Sequence, residues 1–294
     1  MTVSVETSLD DLGRQRPEWE PWLAVVREVV EELGDPRWDV FVPDVAKAPE
    51  SKIPLLAAAT ITCDKKAVGE WTARLLRTAF KSGTREMATL EGAAASADAL
   101  ALLKASLCQD GASLSETAAR FGADADAFQA VASQLAVPFL HACSRRWASS
   151  LPISWMEGYC PVCGAWPAFA EVRGIDRNRY FRCGRCASEW RMLGLVCPFC
   201  GMDDHEQLAR LVPEKDGTTR VVEACKRCLG YVKTFMRLQA SPAVRVILDD
   251  LANVDLDMAA LEQGYKRPPG AGYALDVAVV EKATASDRFF SWRK

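Results

Sequence analysis

The chain has 294 residues, of which 49% are hydrophobic and 26% charged, and a formal net charge of −3. That balance is ordinary for a globular chain and excludes polyanion binding by bulk charge. No apolar run approaches the roughly 20 residues of a membrane span, and residues 1–7 lack the basic start and apolar run of a secretory or twin-arginine signal, so a cytoplasmic protein is expected.

Residues 1–152 read as an α-helical domain. Trp22, Val25, Val26, Val29, Val30 and Leu33 recur at helical spacing over residues 18–33, and Gly34-Asp35-Pro36 ends the run. A second helix is predicted over 67–80, with Val68, Trp71, Leu75 and Phe80 on one side. The alanine-rich stretch 93–105 suits one helix by propensity. Ser113-Leu-Ser-Glu116 has the form of a capping box, with Ser113 as the cap. A further helix spans 126–147, interrupted at Pro138. Few segments alternate as strands do, so this half is expected to be all-helical. Its three cysteines, Cys63, Cys108 and Cys143, are isolated and read as small core residues.

The texture changes near Leu151-Pro152. Short strands are predicted at 179–182, 190–193 and 220–223, separated by turns and cysteine pairs. The pairs are Cys160-Pro-Val-Cys163, Cys183-Gly-Arg-Cys186, Cys197-Pro-Phe-Cys200 and Cys225-Lys-Arg-Cys228. Two of them open with Cys-Pro-x-Cys-Gly, and each is followed by a variable stretch and a second pair lacking that proline. Two tandem copies of one small module, 153–194 and 195–240, explain this order. A C-terminal helical segment and tail, 241–294, is expected to start with Ser241 capping and Pro242 in the first turn. The acidic 249–255 stretch would split it into two helices. The tail beyond 267 reads as loosely held, with Phe289, Phe290 and Trp292 as docking candidates.

In a reducing compartment, dense paired cysteines point to metal rather than disulfides. Each Cys-x-x-Cys turn sets two sulfurs on one side of a tight loop, and four sulfurs make a tetrahedral site. Pairing consecutive knuckles gives Cys160, Cys163, Cys183 and Cys186 for one metal ion, and Cys197, Cys200, Cys225 and Cys228 for the other. A crossed pairing, first with third, is the less local alternative. Sulfur-only ligation admits zinc, as in a zinc ribbon, or a single iron, as in rubredoxin. The fold class is therefore mixed: a helical domain, two rubredoxin-like or zinc-ribbon-like knuckle modules, and a C-terminal helical segment. Modules this small have little core of their own, so bound metal would supply folding energy.

Two competing functions need weighing. Zinc ribbons often bind nucleic acid. Residues 151–240 hold 13 basic and 10 acidic residues, a surplus of +3, but eight thiolates with two divalent ions contribute −4. The basic surplus therefore reads as compensation for anionic metal sites, which disfavours a nucleic-acid surface. A thiol-disulfide oxidoreductase would carry one such pair at a strand-to-helix junction rather than four. Of the two histidines, His205 reads as solvated and His141 as packed on a helix. No Gly-x-Ser-x-Gly and no phosphate loop is present, so an enzyme is not expected. Trp155, Trp166, Tyr180 and Trp190 flank the knuckles and are expected to cover them.

The run Gly158-Tyr-Cys-Pro-Val-Cys-Gly-Ala-Trp-Pro167 resembles the FdhE family of formate dehydrogenase accessory proteins. So do Arg179-Tyr-Phe-Arg-Cys-Gly-Arg-Cys-Ala-Ser-Glu-Trp190, Glu223-Ala-Cys-Lys-Arg-Cys-Leu-Gly-Tyr-Val-Lys-Thr234, and Asp249-Asp-Leu-Ala252, Leu256-Asp257 and Gly264-Tyr265 further on. The similarity covers residues 151–267 in order and is only broad before them. It implies a cytoplasmic maturation factor that binds the catalytic subunit of a molybdenum- or tungsten-dependent formate dehydrogenase. It also implies rubredoxin-like sites on the eight cysteines, with iron the family expectation and zinc its rival.

Overall fold

The computed structural model describes residues 5–44, 52–192, 194–213 and 219–282, with side chains from residue 9 onward. The first half is a bundle of helices: α1 (Val5–Gln15), α2 (Glu20–Glu32), α3 (Lys65–Lys81), α4 (Arg85–Ala88), α5 (Glu91–Ser96), α6 (Ala99–Cys108), α7 (Gly111–Phe121), α8 (Ala125–Ala132) and α9 (Val137–Trp147). Apolar spacing explains the long ones. In α3 the residues Val68, Trp71, Leu75, Leu76 and Ala79 recur every three or four positions, and all are buried. Fully buried Trp38, Trp71, Phe128 and Phe139 fill the middle of the bundle.

Aspartates set several of the boundaries. Asp64, Asp98, Asp110 and Asp124 each accept backbone N–H bonds at the start of a helix. This corrects two expectations. The alanine-rich stretch is two helices rather than one, because Asp98 caps α6 after the chain breaks at Ala97. The cap of α7 is Asp110, whose carboxylate accepts from Ser113 N at 3.0 Å. Ser113 therefore lies within the first turn instead of capping it. Pro138 sits in the first turn of α9, where its missing N–H costs nothing.

The second half is a six-stranded sheet. Its strands are β2 (Pro167–Arg173), β3 (Asn178–Cys183), β4 (Glu189–Arg191), β5 (Leu208–Leu211), β6 (Arg220–Cys225) and β7 (Tyr231–Arg237). The spatial order is β4-β3-β2-β7-β6-β5. Strands are antiparallel within each cysteine module, whereas β2 and β7 pair in parallel, with Phe169 opposite Lys233. The second copy thus continues the sheet of the first in the same sense, a translation rather than a two-fold rotation. Two helices, α10 (Ala243–Ala252) and α11 (Val254–Glu262), pack against the sheet. They divide at Asn253, within the acidic stretch expected to divide them. Ser241 does not cap α10. Its backbone N–H donates to Glu171 and its hydroxyl to Asp249.

Two further expectations are overturned. The helical half contains a strand, β1 (Thr60–Cys63), which pairs in parallel with β8 (Ala278–Glu281). Residues 268–282 are therefore held: Tyr273 N donates to Gly164 O at 2.9 Å, and β8 returns to the bundle. Phe289, Phe290 and Trp292 lie outside the described residues.

Candidate metal centres

All four knuckles have one backbone design. The N–H four residues after the first cysteine donates to that cysteine's carbonyl, in Gly164, Ala187, Gly201 and Leu229, at 2.9–3.0 Å. The first cysteine's own N–H donates to the carbonyl of Ala165, Ser188, Met202 or Gly230. The turn needs φ > 0 at the residue after the second cysteine, and the values are 69°, 56°, 71° and 60°. Glycine adopts that region freely, so Gly164 and Gly201 suit it; Ala187 and Leu229 hold it with a side chain.

The turns bring the thiols together as consecutive pairs, so the crossed pairing does not occur. Cys160, Cys163, Cys183 and Cys186 form one group and Cys197, Cys200, Cys225 and Cys228 the other, with the sulfurs of each within 4.8 Å of one another. In the first group the Cys160–Cys186, Cys163–Cys183 and Cys163–Cys186 separations are 3.4, 3.5 and 3.9 Å. In the second, Cys197–Cys228 and Cys200–Cys225 are 3.6 and 3.7 Å. A tetrahedron with metal–sulfur bonds of about 2.3 Å has edges of about 3.8 Å. Both groups fit a single thiophilic ion, and four protein sulfurs would leave no open position of the kind a catalytic zinc keeps.

The surroundings of the two groups differ. Every sulfur of the first is buried, inside the same core as Leu56, Trp147, Trp155 and Trp190. The helical half forms part of its wall. Leu55 and Leu56 donate backbone N–H bonds to Pro161 O and Val162 O in the first knuckle. The Arg185 guanidinium donates to Ser106 O and Leu107 O at the end of α6, while its backbone N–H points at Cys183 Sγ at 3.4 Å. Ser188 Oγ lies 3.2 Å from Cys186 Sγ and 2.7 Å from Ser144 Oγ of α9. Nearby His141 is buried on α9, and burial pushes its pKa down to about 4. Burial also pushes the Cys160 and Cys186 thiols up; against that cost, hydrogen bonds from Cys160, Cys163 and Cys186 hold Cys183 well below the usual thiol range.

The second group is open. Cys197 and Cys225 are buried, Cys228 is half-buried and Cys200 is exposed. Beside it lies a hollow of about 210 Å³ whose walls include Cys197, Cys225, Phe199 and Leu208. Against the cost of burial, the backbone N–H groups of Cys228 and Arg227 hold the Cys225 thiol down. Gly230 N points at Cys228 Sγ at 3.4 Å. This knuckle module leans on the first one: Phe199 stacks edge-on against Trp166 at 5.2 Å, and a Cβ on Gly158 would sit 1.8 Å from Pro198 O.

Other residues take their places around the two groups. Trp155 and Trp190 are buried over the first one, donating to Tyr159 O and Glu157 O. Trp166 contacts the second knuckle module, and Tyr180 lies under the Arg173 guanidinium. His205 is exposed beside Asp204. Cys63 and Cys143 are buried, and burial pushes the Cys63 thiol up to about 12 and Cys143 well above its ordinary value, so both stay protonated.

Sequence reasoning missed a buried charge layer. Fully buried Glu171 on β2 meets Arg173, Arg182 and Arg237. Fully buried Lys233 on β7 pairs with Asp250 and Asp257, each at 2.7 Å, and Arg267 bridges the same two carboxylates. A charged residue within the apolar run of β7 was the available signal. These pairs also revise the charge accounting. Carboxylates pair with Arg173, Arg179, Arg182, Arg220 and Arg237 of the sheet, with Arg179 reaching Glu223 at 2.6 Å.

Two four-thiol groups on one tandem sheet, each able to hold a metal ion, define a double four-cysteine class of protein. Residues 159–193 match the model of the FdhE central domain and residues 195–281 that of the FdhE C-terminal domain. Those two stretches are similar to FdhE domains in the same order. The chain is 34% identical over 112 residues to the FdhE homologue of Shewanella baltica strain OS223, covering 37% of this chain and 36% of that protein. The values for the Pseudomonas aeruginosa homologue are 34% over 116 residues, covering 37% of each. For that of Aquifex aeolicus they are 29% over 114 residues, covering 38% and 40%. These matches thus span well under half the length of the curated relatives. The crystal structure of the Pseudomonas aeruginosa FdhE protein superposes with a TM-score of 0.55 over 92% of this chain and 94% of that one, at 22% identity, which shows a shared fold.

Proposed function

We propose that this chain is a cytoplasmic accessory factor for a molybdenum- or tungsten-dependent formate dehydrogenase. It binds the catalytic subunit during maturation and holds two metal ions, iron or zinc, without itself being an enzyme. The observation that carries the reading is the pair of four-thiol groups within the stretch that matches the FdhE central and C-terminal domains. Four-sulfur sites with no open position suit a scaffold or electron-transfer role better than substrate activation. The carboxylate-paired arginines of the sheet weigh against the nucleic-acid alternative, since paired guanidinium groups are poor phosphate anchors. Among the described residues, no helix is long and apolar enough to cross a membrane.

Deleting the gene tests this reading. Formate dehydrogenase activity should be lost while the catalytic subunit is still made, and tagged protein should retain that subunit through anaerobic purification. Normal activity in the deletion strain contradicts the proposal.

A further inference from the structure

The two four-thiol groups are chemically alike but differ in access, and that difference has a consequence for oxidants. Oxidation of cysteine follows thiolate character and exposure. The inner group presents no exposed sulfur. The hollows that reach Gly184 and Arg185 beside it are not lined by its cysteines. The outer group is open. Cys200 is exposed, and Cys197 and Cys225 line a hollow. Its surroundings are also loosely closed, since Leu195 and Leu229 flank it at 70% and 43% exposure.

We infer that Cys200 is a modification site for hydroperoxides, and that its oxidation releases the outer metal while the inner metal stays. The inference rests on the assignment of one metal ion to each four-thiol group. The Cys200 thiolate attacks the peroxide O–O bond, forming an S–OH group and expelling hydroxide. Cys225 Sγ, 3.7 Å away, is the sulfur placed to follow. Its thiolate attacks Cys200 Sγ, forming the disulfide and expelling a second hydroxide. The two sulfurs together lose two electrons to the peroxide. A disulfide at these positions removes two of four ligands, so the ion leaves. The third and fourth knuckles, which flank the β5–β6 pair, then lose the ion that ties them together. The core shared by the helical half and the inner group has no part in the step.

The test uses the full chain loaded with zinc, which removes metal-centred redox chemistry. Zinc is counted before hydrogen peroxide is added, its release is then followed with a chromogenic chelator, and cysteine oxidation is mapped by mass spectrometry of alkylated peptides. The expected result is two zinc ions at the start and a first ion released on the order of tenfold faster than the second. Cys200 should be in the first disulfide to form. Two ions that leave together, neither ion leaving, a first disulfide among Cys160, Cys163, Cys183 and Cys186, or a Cys200 that stays reduced would each overturn the inference alone. Fewer than two zinc ions at the start overturns the ligand assignment, and the inference with it.

Discussion

The inner and outer four-thiol groups share one knuckle design and occupy opposite environments. The inner one is part of the main core, walled by α6, α9 and the 54–57 turn. The outer one sits on the far module of the sheet, with one exposed sulfur. Identical local geometry therefore does not give equal importance to the fold. What surrounds a site decides how much structure depends on it, because lost ligation in a dry core leaves buried polar sulfurs with no water to solvate them.

The largest expected effect breaks this comparison at its root. A structural four-cysteine zinc site carries on the order of 10–16 kcal/mol of apparent binding at neutral pH. Cys163→Ser should consequently unfold both the first knuckle module and the wall of the helical half. Cys200→Ser should loosen only the region around 195–240. Hydrogen exchange read peptide by peptide separates the two outcomes, and equal loss of protection in both variants would contradict the comparison.

The next effect tests how the halves of the sheet communicate. Glu171 is the buried anion facing Arg173, Arg182 and Arg237 beside the parallel β2–β7 joint. Glu171→Gln removes the anion that the three guanidinium groups share, leaving Arg173 and Arg182 to Glu189 and Arg237 to Asp249, a loss of about 2 kcal/mol. Denaturant melts should show that loss, with the outer module opening before the helical half.

A smaller effect reports on dryness around the inner site. Burial holds His141 at a pKa of about 4, against an ordinary value of 6.5. Between those values the unfolded chain binds a proton that the folded chain does not. Its contribution is therefore fully present above pH 6.5 and is lost as pH falls toward 4, a change on the order of 3 kcal/mol. Replacing it by His141→Phe should flatten the stability profile across that window. An unchanged profile would mean that water reaches this side of the inner site.

The smallest effect concerns the knuckles themselves. Ala187 and Leu229 hold φ values of 56° and 60° where the other two turns use glycine. Leu229→Gly and Ala187→Gly should relieve about 1 kcal/mol of backbone strain, partly offset by the greater freedom of glycine in the unfolded chain. Melting temperatures of the metal-loaded variants check this, and a clear loss of stability would show that the side chains contribute more than the strain costs.

Legibility in the sequence follows the range of the interactions involved. The cysteine spacing, local and repeated, pointed to the two groups of four before any coordinates. The α2 and α3 helices are visible as apolar residues recurring on one side. Strands β2 and β7 are not, because Pro167–Phe169 and Tyr231–Phe235 are buried at every position and so show no alternation. The β1–β8 pair joins residues far apart in the chain, and no local pattern announces it. Capping was misread where two candidates stood close together: Asp110 outcompeted Ser113, and Ser241 was recruited by Glu171 and Asp249. The unequal exposure of the two groups depends on where α6, α9 and the tail pack, which spacing alone does not encode.

Counting metal on three chains tests the central claim most directly. Elemental analysis of anaerobically purified wild type, of Cys160→Ser with Cys163→Ser, and of Cys197→Ser with Cys200→Ser should give about two, one and one ions per chain, with one metal-binding knuckle module left intact in each double variant. Two ions retained in either double variant, or a single ion in the wild type that both double variants lose, would contradict two independent four-cysteine centres.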